Sequence, residues 1–558
     1  MDIPLLLAQL DQMGIAPLLD QHFPTHGHWQ GLSLGHTSCV WLTCILSEAN
    51  HRLSHVEPWA QERLGVLEGC VGQPVRALDV SDDRLASLLD QFSADEAWED
   101  FECDLNRRLL RVYDLAAQMV RTDSTTAKSY TQSVEGLFAF GHSKDHRPDL
   151  PQVKINVSCL DPLGLPLTTT VVRGQVADDG LYVPEIGKVQ QHLGRHGVTD
   201  IGDCKMGAAA TRAFIAACGD YDLCPLSGVQ VSERELAALL APVWTGPQPL
   251  RSILRADQAE AEEGVAIAEG YEYTIAQQAA HEGRVSTWQE RRLVIRSLAQ
   301  AHKQERALRA RVDQALAALA ALNDRRQGKK RWNRKAELAL HVEAILAQHE
   351  VRDVLAVHYR TTRTTRPLRR YRDRPATVRI DTRCQVQARV DETALAAAIH
   401  QLGWRVYATN QPAEQLSLDQ AVWAYRAEYR IERGFARLKG TPLSLTPLYL
   451  TTPERIVGLI RLLMLAMRTL TLVEFQVRKT LEKTGHLLRG LYPGQPGRAN
   501  PRPTAEVILR AFGNITLTRI REGPRWRVHI TPLTPLQQQL VQLAGFQTSI
   551  YEHFDHHF

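Results

Sequence analysis

Three acids are spaced along the chain in settings suited to metal-dependent phosphodiester chemistry. Asp123 follows a strand-like run from 114 and precedes Ser124 and Thr125, which read as a turn. Asp203 ends a short strand predicted over 198–203, just before a helix. Glu432 lies on a helix predicted over 417–439, which carries Tyr425, Glu428, Glu432 and Lys439 on one face at helical spacing. Two divalent ions about 3.5–4 Å apart clamp the attacking and leaving oxygens of a phosphodiester. They need one carboxylate bridging both ions and one more on each, and hard oxygen donors select magnesium or manganese over zinc. Two neighbouring strand ends and a flanking helix can bring three carboxylates that close. Taken singly, each acid has a plainer role open to it: an Asx turn at Asp123, a helix cap at Asp203, a solvated face at Glu432. Asp200 competes with Asp203 but falls inside its strand, and Glu428 competes with Glu432 one turn away.

The elements that would position these acids form an interrupted α/β pattern. Strands are expected at 114–123, 153–159, 165–172, 198–203 and 221–226, with helices at 183–194 and 208–218. A three-strand meander followed by crossover units describes a mixed sheet flanked by helices. Residues 227–402 break that plan with β-like pieces at 271–275, 377–380 and 384–390 and a helix-like run over 288–322, and they read as an inserted α+β domain. The plan resumes with a strand at 404–409 and the helix at 417–439, which opens on a Ser417–Gln420 capping box and ends at Gly440. The expected division is a helical region at 1–110 as a candidate reader of DNA ends, a core in two parts at 111–226 and 403–484, the insert between them, and a C-terminal region at 485–558.

Composition narrows the class. With 558 residues, 44% hydrophobic and 23% charged, the chain is globular rather than disordered. Nine cysteines without a CxxC pair argue against a structural zinc site or a disulfide framework. The N-terminus has no basic run ahead of its apolar stretch, so it does not read as a secretory signal. The most apolar window, 456–475, is interrupted by Arg461 and Arg468 and reads as a core helix, not a membrane span. A cytoplasmic protein with no membrane partner is expected.

The net charge of +4 is modest, but it is unevenly placed. Arg325, Arg326, Lys329, Lys330, Arg331, Arg334 and Lys335 surround Trp332, and Arg360, Arg363, Arg366, Arg369, Arg370, Arg372 and Arg374 follow. Both clusters fall in the insert and suit phosphate contacts that position duplex DNA without reading its sequence. Lys329, Lys330, Arg331 and Trp332 are the candidate contacts in the first cluster, and His142, Lys144 and Arg147 offer a further basic loop.

Thr122-Asp123-Ser124-Thr125, Gly202-Asp203-Cys204-Lys205-Met206 and the series Tyr425, Glu432, Lys439 together resemble the catalytic blocks of bacterial insertion-sequence transposases of the DDE type with a Tyr-Arg-Glu-Lys signature. The segment 141–150 resembles one common in a branch of that group, and 81–90 is a weaker match; the resemblance spans about 81–545. It implies a ribonuclease-H-like core and DNA cleavage at transposon ends followed by strand transfer into target DNA. It implies two Mg2+ ions, with Mn2+ as substitute, held by Asp123, Asp203 and Glu432. It places Tyr425 and Lys439 on terminal DNA, and synapsis of two ends implies a homodimer acting on the bacterial nucleoid. The family signature has an Arg where this chain has Glu428, which weakens the case for a hairpin step; Arg426, Arg430 or Arg433 would be the substitutes for that contact.

Overall fold

The strands β1 (Met119–Lys128), β2 (Gln152–Asp161) and β3 (Leu165–Arg173) form an antiparallel meander. Then β4 (Thr199–Ile201) runs parallel to β1, and β5 (Tyr221–Pro225) runs parallel to β4. The computed structural model describes residues 1–130, 136–258, 264–325, 330–369, 376–522 and 525–554. All ten residues of β2 are buried, as expected for a strand covered on both faces. The order β3-β2-β1-β4-β5 is the mixed, helix-flanked arrangement expected of the core.

The insert does not leave the sheet at once. Its first strands, β6 (Arg251–Leu254), β7 (Ala266–His281) and β8 (Arg284–Ser297), extend it. The next pair, β9 (Leu355–Leu368) and β10 (Thr377–Val390), makes a separate antiparallel ribbon. The chain then returns as β11 (Trp404–Thr409), which pairs antiparallel with both β5 and β8 and joins the two halves into one sheet of nine strands. The ribbon and the helices Leu298–Ala321, Lys335–His349 and Glu392–His400 enclose their own apolar cluster, with Leu308, Val342, Leu346, Val386 and Leu395 at its centre. A last pair, β12 (Leu517–Glu522) and β13 (Arg525–Ile530), lies in the C-terminal region.

Three local expectations are corrected. Ser124, Thr125 and Thr126 are not a turn: β1 continues to Lys128 and pairs with β2 throughout, as suits β-branched residues on a buried surface. The run 288–322 is helical only from Leu298, where the Ser297 side chain caps the helix. Residues before Ser297 are strand because Glu290 is buried there between Arg212 and Arg292, a tertiary demand that outweighs helix propensity.

The third correction concerns the helix expected over 417–439. It breaks at Ala427–Glu428 into Leu418–Arg426 and Tyr429–Lys439. The Ser417–Gln420 box forms as expected. At the break the Glu428 amide bonds Tyr425 O, three residues back, and the Arg121 guanidinium bonds the Ala424 carbonyl, so a side chain competes for the helix's last carbonyls. The first half packs with Leu223 and Ile295, while the second sends Ile431, Phe435 and Leu438 into the main core.

That main core joins the N-terminal helices to the meander and to the long helix Pro453–Thr484. This helix is long and apolar enough to cross a membrane, yet 94% of its apolar window is buried inside the protein. Gly458 allows its close approach to the helix Asp82–Phe92, since a Cβ there would lie 2.2 Å from the Leu89 carbonyl oxygen. Arg468, fully buried, donates to the Pro166 and Leu167 carbonyls and to Glu102.

Candidate active site

Strand register brings the two aspartates together. Met119, Val120 and Arg121 of β1 pair with Thr199, Asp200 and Ile201 of β4. Asp123 and Asp203 each lie two residues beyond the last pair, where the strands part, and the charge of Asp203 is felt at Asp123. Asp200 is 2% exposed inside β4 on the face opposite Ile201, away from this opening.

Each aspartate is held by a neighbour. The Lys144 ammonium lies 2.9 Å from Asp123 Oδ1 and also reaches the Ser124 carbonyl. Tyr182 donates to Asp203 Oδ1 at 2.8 Å, and the Lys205 amide donates to the same oxygen at 2.8 Å. Burial pushes the Asp123 carboxyl above the ordinary range against the pull of Lys144, and the charge of Asp203 adds to the rise. Burial also raises the Tyr182 hydroxyl, with Asp203 and Asp123 pushing the same way. Such mutual repulsion is what a divalent cation would offset.

The kinked helix supplies the further acids. Burial raises the carboxyl of Glu428 at the break, and the charges of Asp123, Glu432 and Asp203 raise it further. Glu432 lies one turn on, exposed, in the first turn of the second half. Among the described residues no three His, Cys, Asp or Glu side chains stand close enough to hold a metal ion as they are placed. The donor set nevertheless fits hard cations: Asp123, Asp203, Glu428 and Glu432 offer only carboxylate oxygens, with no thiol or imidazole among them.

The expected DNA contacts divide. Tyr425 is half-buried with its ring 4.8 Å from that of Tyr407, beside a cleft of about 360 Å³ that Glu428 and Arg405 also line. Lys439 pairs with Asp145 of the segment that carries Lys144, so this one loop touches both the strand acid and the end of the acid-bearing helix. Arg430 lies over the Tyr429 ring. Arg433 is 2.9 Å from Glu474, a buried acid that also takes Arg437. Arg147 pairs with Asp149.

In the first basic cluster, Arg331 is exposed, and Lys330 lies over the Trp332 ring and 3.9 Å from Glu337. Trp332 is corrected from a DNA-facing aromatic to a core residue: it is 6% exposed, donates to the Leu322 carbonyl and packs edge-on against His341. Lys329, Arg326, Arg370, Arg372 and Arg374 lie outside the described residues. Sequence reasoning missed the contacts that Lys144, Asp145 and Tyr182 make with the site. The first two were in view as part of the distinctive 141–150 segment; nothing singled out Tyr182.

No family model and no curated protein sequence matches the chain. Among solved structures, it is similar to the cryo-EM structure of the piggyBac transposase synaptic complex with hairpin DNA, at 8% identity over 83% of this chain and 81% of that one, with a TM-score of 0.23. A likeness of that size carries no functional weight.

Proposed function

We propose that this chain is a DDE transposase that cuts DNA at the ends of its own element and joins the freed ends to target DNA. The observation that carries the reading is the matched placement of Asp123 and Asp203 two residues beyond the last β1–β4 pair, with the break in the acid-bearing helix tied to β1 through Arg121. Asp123, Asp203 and Glu432 would hold two Mg2+ or Mn2+ ions, which supply an activated water and stabilise charge on the phosphodiester oxygens. The chain's own groups prepare that site. Tyr182 and the Lys205 amide fix the orientation of Asp203, and Lys144 holds Asp123 until cation and phosphate compete for it. Lys439, released from Asp145, can then face a DNA phosphate. Two copies would pair two ends.

One observation favours a second assignment of the third ligand: Glu428 is half-buried at the helix break, where burial and the charges of both aspartates raise its carboxyl. The rival activity is a nuclease of the same fold that cuts without joining. The test incubates the full chain and its Asp123→Asn variant with DNA flanking its own reading frame, with pre-cleaved ends and with Mg2+ or Mn2+. Metal-dependent cuts and joined products that vanish in the variant support the proposal. Hydrolysis with no joined product assigns the nuclease instead.

A further inference from the structure

The outer half of the β9–β10 ribbon has no packing partner among the described residues of its own chain. The inner half is anchored through Cys384, Val386 and Leu355 in the apolar cluster of the insert. Beyond it, every residue from Arg360 to Leu368 and from Thr377 to Ile380 is exposed. A bare two-stranded ribbon is marginal in water, so this extension adds little to the stability of the fold.

Its register sorts the charges. Arg366 lies directly opposite Arg379, Thr364 opposite Asp381, Thr362 opposite Arg383 and Arg360 opposite Gln385. Side chains at opposed positions share a face, so four arginines, with small threonines between them, crowd one side of the ribbon. Asp381 is the one acid on that side among the described residues, 2.8 Å from Arg379 and 4.0 Å from Arg366. Like charges set opposite one another across strands destabilise a ribbon, and one acid shared between two arginines only partly offsets this. A polyanion laid on this face would relieve the repulsion.

We propose that this ribbon docks in the major groove of duplex DNA, with Arg360, Arg366, Arg379 and Arg383 gripping the phosphates; the proposal rests on the DNA-processing reading above and names the element that holds the duplex. The major groove, about 12 Å wide, admits a two-stranded ribbon. Arg360 and Arg366 are separated by about 20 Å of extended strand at ~3.3 Å per residue. B-DNA carries one phosphate charge per ~1.7 Å of axis, so that length offers about a dozen partners. The contacts are to phosphate, so the grip is independent of sequence.

The test measures fluorescence anisotropy of the full chain on a labelled duplex of arbitrary sequence across a salt series. The variants are the triple Arg360→Gln/Arg366→Gln/Arg379→Gln and, on the opposite face, Ile380→Ser. The triple variant is expected to bind at least tenfold more weakly at low salt, with the slope of log affinity against log salt shallower by about 2–3, while Ile380→Ser matches wild type. A triple variant with wild-type affinity and slope overturns the ribbon proposal alone. Equal losses in both variants also overturn it, because the effect is then structural. A wild-type chain that binds no duplex overturns both this proposal and the DNA-processing reading.

Discussion

Replacing Lys144 with Gln removes the ammonium that lies 2.9 Å from Asp123 Oδ1. At that distance two unit charges attract by about 1.4 kcal/mol in water and about 6 kcal/mol at an effective dielectric of 20. The two side chains are 30% and 23% exposed, so the bulk-water figure is a lower bound on their attraction. A cation bound by Asp123 must displace or weaken this pair. Under the proposed function, removing the lysine therefore tightens metal binding by at least about 1–1.4 kcal/mol, or roughly fivefold to tenfold. The assay is titration of the DNA-free chain with Mn2+, reading free ion by electron paramagnetic resonance. Lys144→Gln is expected to bind more tightly than wild type, and Asp123→Asn more weakly. Equal or weaker binding by Lys144→Gln would refute the competition between ammonium and metal.

Under the proposed function, Glu432→Gln lowers DNA cleavage by at least about a hundredfold while Glu428→Gln stays within tenfold of wild type; the reverse pattern in a single-turnover cleavage assay moves the third ligand to Glu428. Burial raises the Asp123 carboxyl, so the folded chain binds its proton more tightly than the unfolded chain does. Stability from this group is therefore present at low pH and lost as pH rises through the raised value. Metal-free Asp123→Asn should accordingly melt higher than wild type at neutral pH, with the gap closing on acidification; a lower melting temperature at pH 7 contradicts this. Arg468→Met leaves Glu102 as an unpaired buried charge and should cost about 3–5 kcal/mol, read as a fall in the denaturation midpoint; an unchanged midpoint argues against that pairing.

Much of the fold is legible where local signals and tertiary demands agree. The strand at Trp404–Thr409, the helix Pro453–Thr484 and the Ser417 box all lie where apolar periodicity and capping residues put them. The misreadings share one cause. Glu290, Arg291 and Arg292 look like helix surface, but Arg212 and Glu272 on other elements pair with Glu290 and Arg291, and all three are buried in a strand. Trp332 sits among cations in sequence, yet in space, although Lys330 lies over its ring, the indole is buried, bonded to the Leu322 carbonyl and packed on His341. The break at Ala427–Glu428 has no Gly or Pro to announce it, because the competing group, Arg121, lies on a distant strand. In the site itself, the acids are visible as types at intervals. The register that sets Asp123 and Asp203 each two residues past the last β1–β4 pair, and the loop that clamps Asp123 and Lys439, are properties of pairing that intervals cannot express.

The return of the chain at β11 has a consequence in time. During synthesis β5 emerges long before the strand that completes it, since Cys224 must wait for Ala408. At about 5–20 residues per second, the gap of about 180 residues is a delay of roughly 10–35 s. Throughout it, β5 is a bare edge able to pair with other chains, and the ribosome or a chaperone has to keep it apart. The same delay withholds the acids of the kinked helix until most of the protein has been made. A half-synthesised chain thus carries Asp123 and Asp203 on a sheet that still lacks both its closing strand and the helix of Glu428 and Glu432.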